Sequence, residues 1–119
     1  MDSSDKAHSI TETLQVMLYH VDRIIEIGNG WQDASFLTLG VYKDACAFNF
    51  DQLGRMTAYV EKEYIAAHPE IPWNALYELH KRITREYEGI SRELLWDIIQ
   101  QSLPKLQKDL RELIREARL

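Results

Sequence analysis

The sequence predicts an all-α protein, an antiparallel bundle of four to five helices in one domain. Apolar residues recur at helical spacing along most of the 119 residues, and no segment alternates apolar and polar residues for long enough to indicate a strand. The breaks between the helical segments are short and contain glycine or proline, which favours antiparallel neighbours. Residues 1–8 are predicted to be a flexible arm, and residues 9–119 to be the single helical domain.

The first predicted helix opens at Ser9. Ser9 and Glu12 have the spacing of a capping box, in which each side chain accepts a hydrogen bond from the backbone of the other. The Gly28-Asn29-Gly30 triplet is predicted to end this helix, because glycine and asparagine accept the left-handed conformation that a helix end needs. At most one short turn of helix, around Ala34 to Leu39, is expected before the second helix.

The second predicted helix is long, from about residue 41 to residue 67. Its apolar residues, Phe48 among them, cover a broad arc, which predicts burial on two sides. Pro69 and Pro72 then interrupt the helical pattern, and Pro72 suits a position just inside the start of the next helix.

The remaining chain predicts a third helix over residues 73–87 and a last helix that reaches the C-terminus. Gly89 is predicted to end the third helix, and Ser91 is a good N-cap for the last one. Pro104 lies inside the last apolar pattern and should bend or split that helix.

Composition and charge narrow the function classes. The formal net charge is -5, so RNA binding would need a local basic patch, and DNA binding is not expected. Cys46 is the one cysteine, which rules out an intrachain disulfide and fits a reducing, cytoplasmic setting with Cys46 as a core residue. No apolar run approaches the roughly 20 residues that span a membrane. The four histidines lack metal-ligand spacing, so neither metal nor cofactor is expected.

A series of ordered motifs carries a family resemblance. They comprise the interior Asn and Gly of segment 44–54, Pro69-Glu70-Ile71-Pro72-Trp73, His80 followed after four residues by Arg85-Glu86-Tyr87, the Gly89 exit, and Leu95-Trp96-Asp97-Ile98-Ile99. Between residues 44 and 113 the chain resembles the HepT-like branch of the HEPN superfamily, small helical proteins of toxin–antitoxin pairs. The resemblance implies a HEPN-like helical fold.

The resemblance also implies partners and chemistry. Members of this branch form homodimers that cleave RNA without a metal in a cleft between the two copies, and a nucleotidyltransferase antitoxin transfers AMP to the motif tyrosine. By position, His80 occupies the place of the family's arginine, Arg85 that of its histidine, and Tyr87 that of its tyrosine. Imidazole can move the proton of a ribose hydroxyl, and guanidinium grips phosphate.

The exchange of histidine and arginine leaves two interpretations of the function. Catalytic groups need placement within about 0.5 Å, and the exchange moves both groups. In one interpretation the motif has therefore lost its catalytic activity. The protein is then a non-catalytic dimer that serves as partner, scaffold or AMP acceptor of the nucleotidyltransferase. In the other, the twofold symmetry of the dimer rebuilds a working cleft, and the protein is a ribonuclease. A structural helical dimer without a link to toxin systems is a third hypothesis.

Several residues near the motif are candidates for supporting roles in RNA binding or catalysis. Thr84 shares one helical stripe with His80 and Tyr87. Lys81 and Arg82 either contact phosphate or belong to a solvated face. Arg82 and Arg85 could pair with Glu78 and Glu86. Asn49 is either a satisfied buried amide or a support for catalysis. Trp73 and Trp96 are expected to be core or dimer aromatics, and Trp31 an interface residue.

Overall fold

The computed structural model describes residues 9–31 and 39–118, with six α-helices and no strand in that part of the chain. The helices are α1 Ile10–Trp31, α2 Leu39–Met56, α3 Lys62–Ala67, α4 Trp73–Glu86, α5 Arg92–Gln101 and α6 Leu103–Ala117. Short 3-10 turns follow α2 and α4, at Thr57–Tyr59 and Tyr87–Gly89. The all-helical prediction is confirmed for these residues, which form six α-helices rather than four or five.

The start of α1 agrees with the sequence, whereas its end does not. The Ser9 N–H donates to Glu12 Oε1 at 3.2 Å, and the Glu12 N–H donates to Ser9 Oγ at 3.1 Å, so the capping box is present. The predicted stop at Gly28 and Gly30 is wrong, because α1 runs through both to Trp31. A Cβ atom at Gly28 would lie 3.1 Å from the Ile99 side chain, so the glycine serves helix packing rather than helix termination.

The predicted helix over 41–67 is broken into α2 and α3. Thr57 Oγ1 donates to the Gly54 carbonyl at 2.7 Å, and the Val60 N–H donates to the Thr57 carbonyl at 3.2 Å, which closes a 3-10 turn. Val60 is then extended, with φ -95 and ψ 132, and its side chain is buried. The prediction of one helix fails because the Val60 N–H bonds to the Thr57 carbonyl, three residues back, instead of to the Met56 carbonyl that a continuing α-helix would use.

The last three helices largely follow the prediction. Helix α4 ends at Glu86, and Tyr87 opens a 3-10 turn instead of closing the helix. Ser91 caps α5, since its Oγ accepts from the Leu94 N–H at 3.0 Å. Pro104 does split the C-terminal pattern, with α5 and α6 meeting at Ser102.

Helix α2 is the centre of the bundle. It packs between α1 and α4, and α6 packs against α1. Both neighbours run antiparallel to α2. Gly30 meets Tyr42 near one end of the α1–α2 pair, while His20 meets Asn49 two turns further along. One contiguous apolar core fills the interior, with α1, α2 and α6 contributing most of the fully buried side chains.

The predicted burial of Phe48, as part of the apolar arc of the second helix, is wrong. Its side chain is 60% exposed, because it lines an open surface groove between α1 and α2. The predicted arm 1–8, most of the predicted turn at 34–39 and the Trp31 side chain lie outside the described residues. Among the described helices, none has the length and hydropathy needed to cross a membrane.

Candidate functional site

The polar side chains of α2 and α4 meet along one line, which we call the α2–α4 seam: Asp44 and Asp51 on α2, His80 and Thr84 on α4, and Tyr87 just after α4. His80 Nδ1 lies 2.7 Å from Asp51 Oδ1. Both side chains remain partly accessible, at 17% for His80 and 23% for Asp51. The imidazole of His80 is therefore anchored by a hydrogen bond and still reachable from solvent.

The hydrogen bonds of the seam fix the orientation of the His80 ring. A carboxylate oxygen only accepts, so Nδ1 carries the proton and donates to Asp51. Nε2 has no hydrogen-bond partner among the described residues, and in a neutral imidazole with this orientation it is the acceptor. Thr84 Oγ1 lies 3.1 Å from Asp51 Oδ1 and 2.9 Å from the His80 carbonyl, so its single proton can go to either.

Gly54 allows α2 and α4 to approach this closely. A Cβ atom at position 54 would lie 2.1 Å from the Leu76 carbonyl oxygen and 2.7 Å from the His80 Cβ. Real Cβ contacts do not approach backbone to that distance, so any larger residue would push α4 away from α2. The glycine predicted only as a family feature thus sets the spacing of the seam.

Tyr87 closes the other end of the seam. Its hydroxyl donates to Asp44 Oδ1, and the Lys43 Nζ lies 5.1 Å from the centroid of its ring. The prediction that His80, Thr84 and Tyr87 share a stripe agrees with these contacts, because all three side chains meet carboxylates of α2.

Arg85 lies on a different side of α4. Together with Arg82 it lines a surface groove of about 440 Å³ between α4 and α5. Neither arginine pairs with an acid among the described residues, and Glu78 pairs instead with Lys81, whose Nζ lies 3.0 Å from Glu78 Oε2. The expected pairing of these arginines with Glu78 and Glu86 is therefore absent from the described part. Arg85 lines the groove beside α5, whereas His80 contacts Asp51 of α2, so within one chain the two side chains lie on different sides of α4.

Asn49 belongs to the opposite side of α2. Its amide donates to the Ala45 carbonyl at 2.8 Å, and its Oδ1 lies 2.8 Å from His20 Nδ1. It is a satisfied buried amide that anchors His20 and does not touch His80. Sequence reasoning also missed the two aspartates of the seam. Asp44 and Asp51 are seven residues apart, as are His80 and Tyr87, and that matched spacing was the available signal.

Metal ligands do not cluster in the described residues: no group of three or more His, Cys, Asp or Glu side chains is arranged to hold an ion. Cys46 is fully buried, and burial raises the pKa of its thiol to about 12, so this group is not a nucleophile near neutral pH. The chemistry available at the seam is that of imidazole, carboxylate, hydroxyl and phenol.

Comparison with known proteins gives the family. A model of the family described as Ribonuclease HepT-like matches residues 17–113, which is most of the chain. This chain belongs to the HepT-like ribonuclease family. No solved structure matches it.

Relatives of this HepT-like protein carry the same class of name. Among them are two proteins named putative RNases. One, from Methanocaldococcus jannaschii, is 24% identical over 100 residues, covering 84% of this chain and 83% of the relative. The other, from Caldanaerobacter subterraneus subsp. tengcongensis, is 22% identical over 103 residues, covering 87% and 92%. A protein of Thermococcus cleftensis named probable ribonuclease HepT is 24% identical over 55 residues, covering 46% of this chain and 50% of the relative.

Proposed function

We propose that this protein is a metal-independent endoribonuclease and the HEPN component of a toxin–antitoxin-type pair, with its cleavage site in a cleft between two copies of the chain. The observation that carries the proposal is the anchored pair of Asp51 and His80, 2.7 Å apart, in a member of a ribonuclease family. An imidazole whose Nδ1 is held by a carboxylate presents Nε2 as a proton acceptor, which is the arrangement that general-base catalysis uses.

The proposed reaction follows from this orientation. His80 Nε2 takes the proton of a ribose 2′-hydroxyl, and the oxygen attacks the adjacent phosphorus. A bond forms between O2′ and phosphorus while the bond between phosphorus and O5′ breaks, and the leaving O5′ takes a proton from water. The imidazolium of His80 then returns its proton to water. Asp51 offsets the positive charge that the imidazole gains. The products are a 2′,3′-cyclic phosphate and a 5′-hydroxyl end.

Arg85 requires a second copy in this mechanism. It lies on the α5 side of α4, whereas His80 faces α2, so one chain does not bring them to one phosphate. A twofold arrangement can place Arg85 of one copy against His80 of the other, where its guanidinium would stabilise charge on the phosphate. Lys81 and Arg82 would hold the flanking phosphates against a net charge of -5.

The test is cleavage of RNA in the presence of a chelator. The wild type should cleave, and His80→Ala and Arg85→Ala should each lower the rate by about 10² or more. A mixture of the two inactive variants should regain activity, because a mixed dimer holds one intact His80 beside one intact Arg85. Lys62→Ala, an exposed change away from the seam, is the control. Absence of cleavage by the wild type would refute the enzyme.

A second function is favoured by the contact between Tyr87 and Asp44. A phenol that donates to a carboxylate is placed to give its proton to that carboxylate as its oxygen bonds to the α-phosphorus of a nucleoside triphosphate, while the bond from the α-phosphorus to pyrophosphate breaks and pyrophosphate leaves. In this alternative the protein is a non-catalytic dimer, and a nucleotidyltransferase partner attaches AMP to Tyr87.

Co-expression with a nucleotidyltransferase tests the alternative. Mass spectrometry should find AMP on Tyr87 and none in Tyr87→Phe, with Tyr77→Phe as the control for an accessible tyrosine of α4. The double variant His80→Arg/Arg85→His restores the family order. Cleavage by that double variant, with none by the wild type, would favour the non-catalytic function for this chain.

A further inference from the structure

A pocket of about 300 Å³ opens at the far end of the α2–α4 seam, and neither proposed function uses it. Six residues line it, from the 3-10 turn after α2, from α3 and from the first turns of α4: Thr57, Ala58, Ile65, Trp73, Asn74 and Tyr77. We call it the Trp73 pocket. Its volume suits one planar heterocycle, and its walls combine aromatic and aliphatic side chains with two polar groups.

The aromatic walls of the pocket are held in place. The Trp73 Nε1–H donates to the His68 carbonyl at 2.8 Å, and the Tyr64 ring meets the Trp73 ring edge-on with centroids 6.2 Å apart. Trp73 is a buried residue, as the sequence predicts, but it also forms part of the pocket wall. A fixed aromatic wall binds a flat ring without the entropy cost of ordering a side chain.

Two polar side chains lie at the pocket. Asn74 is exposed, so its amide can offer a donor and an acceptor to a ligand. Thr57 Oγ1 uses its proton on the Gly54 carbonyl at 2.7 Å, which leaves the hydroxyl oxygen as an acceptor. A side-chain amide next to an aromatic wall is the combination that reads the hydrogen-bonding edge of a nucleobase.

The pocket lies next to the proposed general base. Tyr77 lines the pocket, and its ring centroid is 5.6 Å from that of the His80 ring. The two residues are three apart on α4, which is about 4.5 Å along the helix axis. The Lys81 Nζ lies 5.4 Å from the Tyr77 centroid, so a cation flanks the path between pocket and imidazole. A nucleotide with its ribose at His80 can therefore reach the pocket with its base.

We propose that the Trp73 pocket is a nucleobase subsite that sets which RNA linkage is cut, with Asn74 as the specificity-determining residue. The inference rests on the proposed ribonuclease function and adds the substrate class, a single-stranded RNA with an unstacked base beside the scissile phosphate. Adenine is the expected base, since an asparagine amide pairs with the N6 donor and N7 acceptor of adenine.

Binding without cleavage provides the test. Short 2′-O-methyl oligonucleotides cannot undergo the proposed attack, and their affinity for the full chain can be measured by fluorescence anisotropy with each base varied in turn. The oligonucleotide with adenine should bind best at one position. Asn74→Ala should reduce that preference about tenfold. Ala58→Leu should fill the pocket and weaken binding about tenfold, whereas Ala66→Leu, an exposed alanine of α3 that does not line the pocket, should not.

The outcomes separate the subsite from the chemistry. Adenine-selective binding that Ala58→Leu weakens about tenfold would support the subsite even if the protein cut no RNA, and only the proposed reaction would then fail. Cleavage without base preference, equal in Ala58→Leu and Ala66→Leu, would overturn the subsite and leave the reaction standing. Loss of protein-partner binding in Ala58→Leu, with oligonucleotide binding unchanged, would overturn it as well, because the pocket would then hold a partner's side chain.

Discussion

Two histidines flank α2, one on each side, and α2 anchors both through side chains only two residues apart. His20 Nδ1 lies 2.8 Å from Asn49 Oδ1, and His80 Nδ1 lies 2.7 Å from Asp51 Oδ1. The two distances are nearly equal, but the anchor is a neutral amide on one side and a carboxylate on the other. Only the carboxylate can offset a charge that the imidazole acquires, so the α4 side suits proton transfer and the α1 side suits packing.

The largest expected effect is on RNA cleavage, and it comes from giving His80 the same kind of anchor that His20 has. Asp51→Asn gives His80 the amide anchor that His20 already has, so the ring stays in place while the compensating charge is lost. RNA cleavage should fall about 100-fold or more, with little change in the thermal unfolding midpoint. Asp97→Asn, on exposed α5 surface, is the matched control. An unchanged cleavage rate in Asp51→Asn would mean that the anchor has no role in proton transfer.

The next largest effect is on the free energy of unfolding, and it should arise from the packing of α2 against α4 alone. Gly54→Ala places a methyl carbon 2.1 Å from the Leu76 carbonyl oxygen, so α4 must shift. We expect a loss of about 1–3 kcal/mol in the free energy of unfolding, measured by urea denaturation. Gly40→Ala is the control within the same helix, since nothing lies within 4 Å of its added Cβ. That variant should gain up to about 1 kcal/mol from helix propensity. Equal stability of the two variants would contradict the close approach of α2 and α4.

The α1 side should respond in stability and not in activity. His20→Ala leaves the buried Asn49 Oδ1 without its partner, which should cost about 1–2 kcal/mol of the free energy of unfolding. RNA cleavage per folded molecule should match that of the wild type. A drop in cleavage comparable to that of Asp51→Asn would show that the two sides are not functionally distinct.

The smallest effect concerns the interior of α2 itself. Burial raises the pKa of Cys46 from 9.0 to about 12, so the folded state keeps the thiol proton where the unfolded state releases it. The resulting stabilisation is complete below pH 9 and is lost as the pH rises from about 9 towards 12, by at most about 1.4 kcal/mol per pH unit. Urea midpoints of the wild type and Cys46→Ala, measured from about pH 8 to pH 11, should converge as the pH rises. Parallel curves would contradict the buried thiol.

The parts of the fold that follow from local chemistry could be predicted. The Ser9–Glu12 box and the Ser91 cap involve residues three apart, and Pro104 lacks the N–H that a helix interior needs, whatever surrounds it. The break at Thr57 could not be predicted, because Thr-Ala-Tyr-Val contains neither glycine nor proline, and its side-chain bond to Gly54 competes with an equally good helix.

The site shows the same division. The stripe of His80 and Tyr87 follows from helical spacing, but their carboxylate partners lie 29 and 43 residues earlier and depend on how α2 and α4 pack. The role of Gly28 inside α1 likewise depends on Ile99, which is distant in sequence. Contacts between helices decided these features, which the sequence pattern alone did not.

The central place of α2 restricts how this chain can change its length. Each residue of an α-helix turns the chain by roughly 100°, so one inserted or deleted residue between Tyr42 and Asn49 would rotate everything after it by that angle. The contact of Asn49 with His20 and the contacts of Asp51 and Gly54 with α4 would then be lost at the same time, although no side chain had been replaced. Substitutions can alter one histidine at a time, whereas a single-codon insertion in this helix would uncouple both, and length variation is expected to be far less tolerated there than at the chain ends.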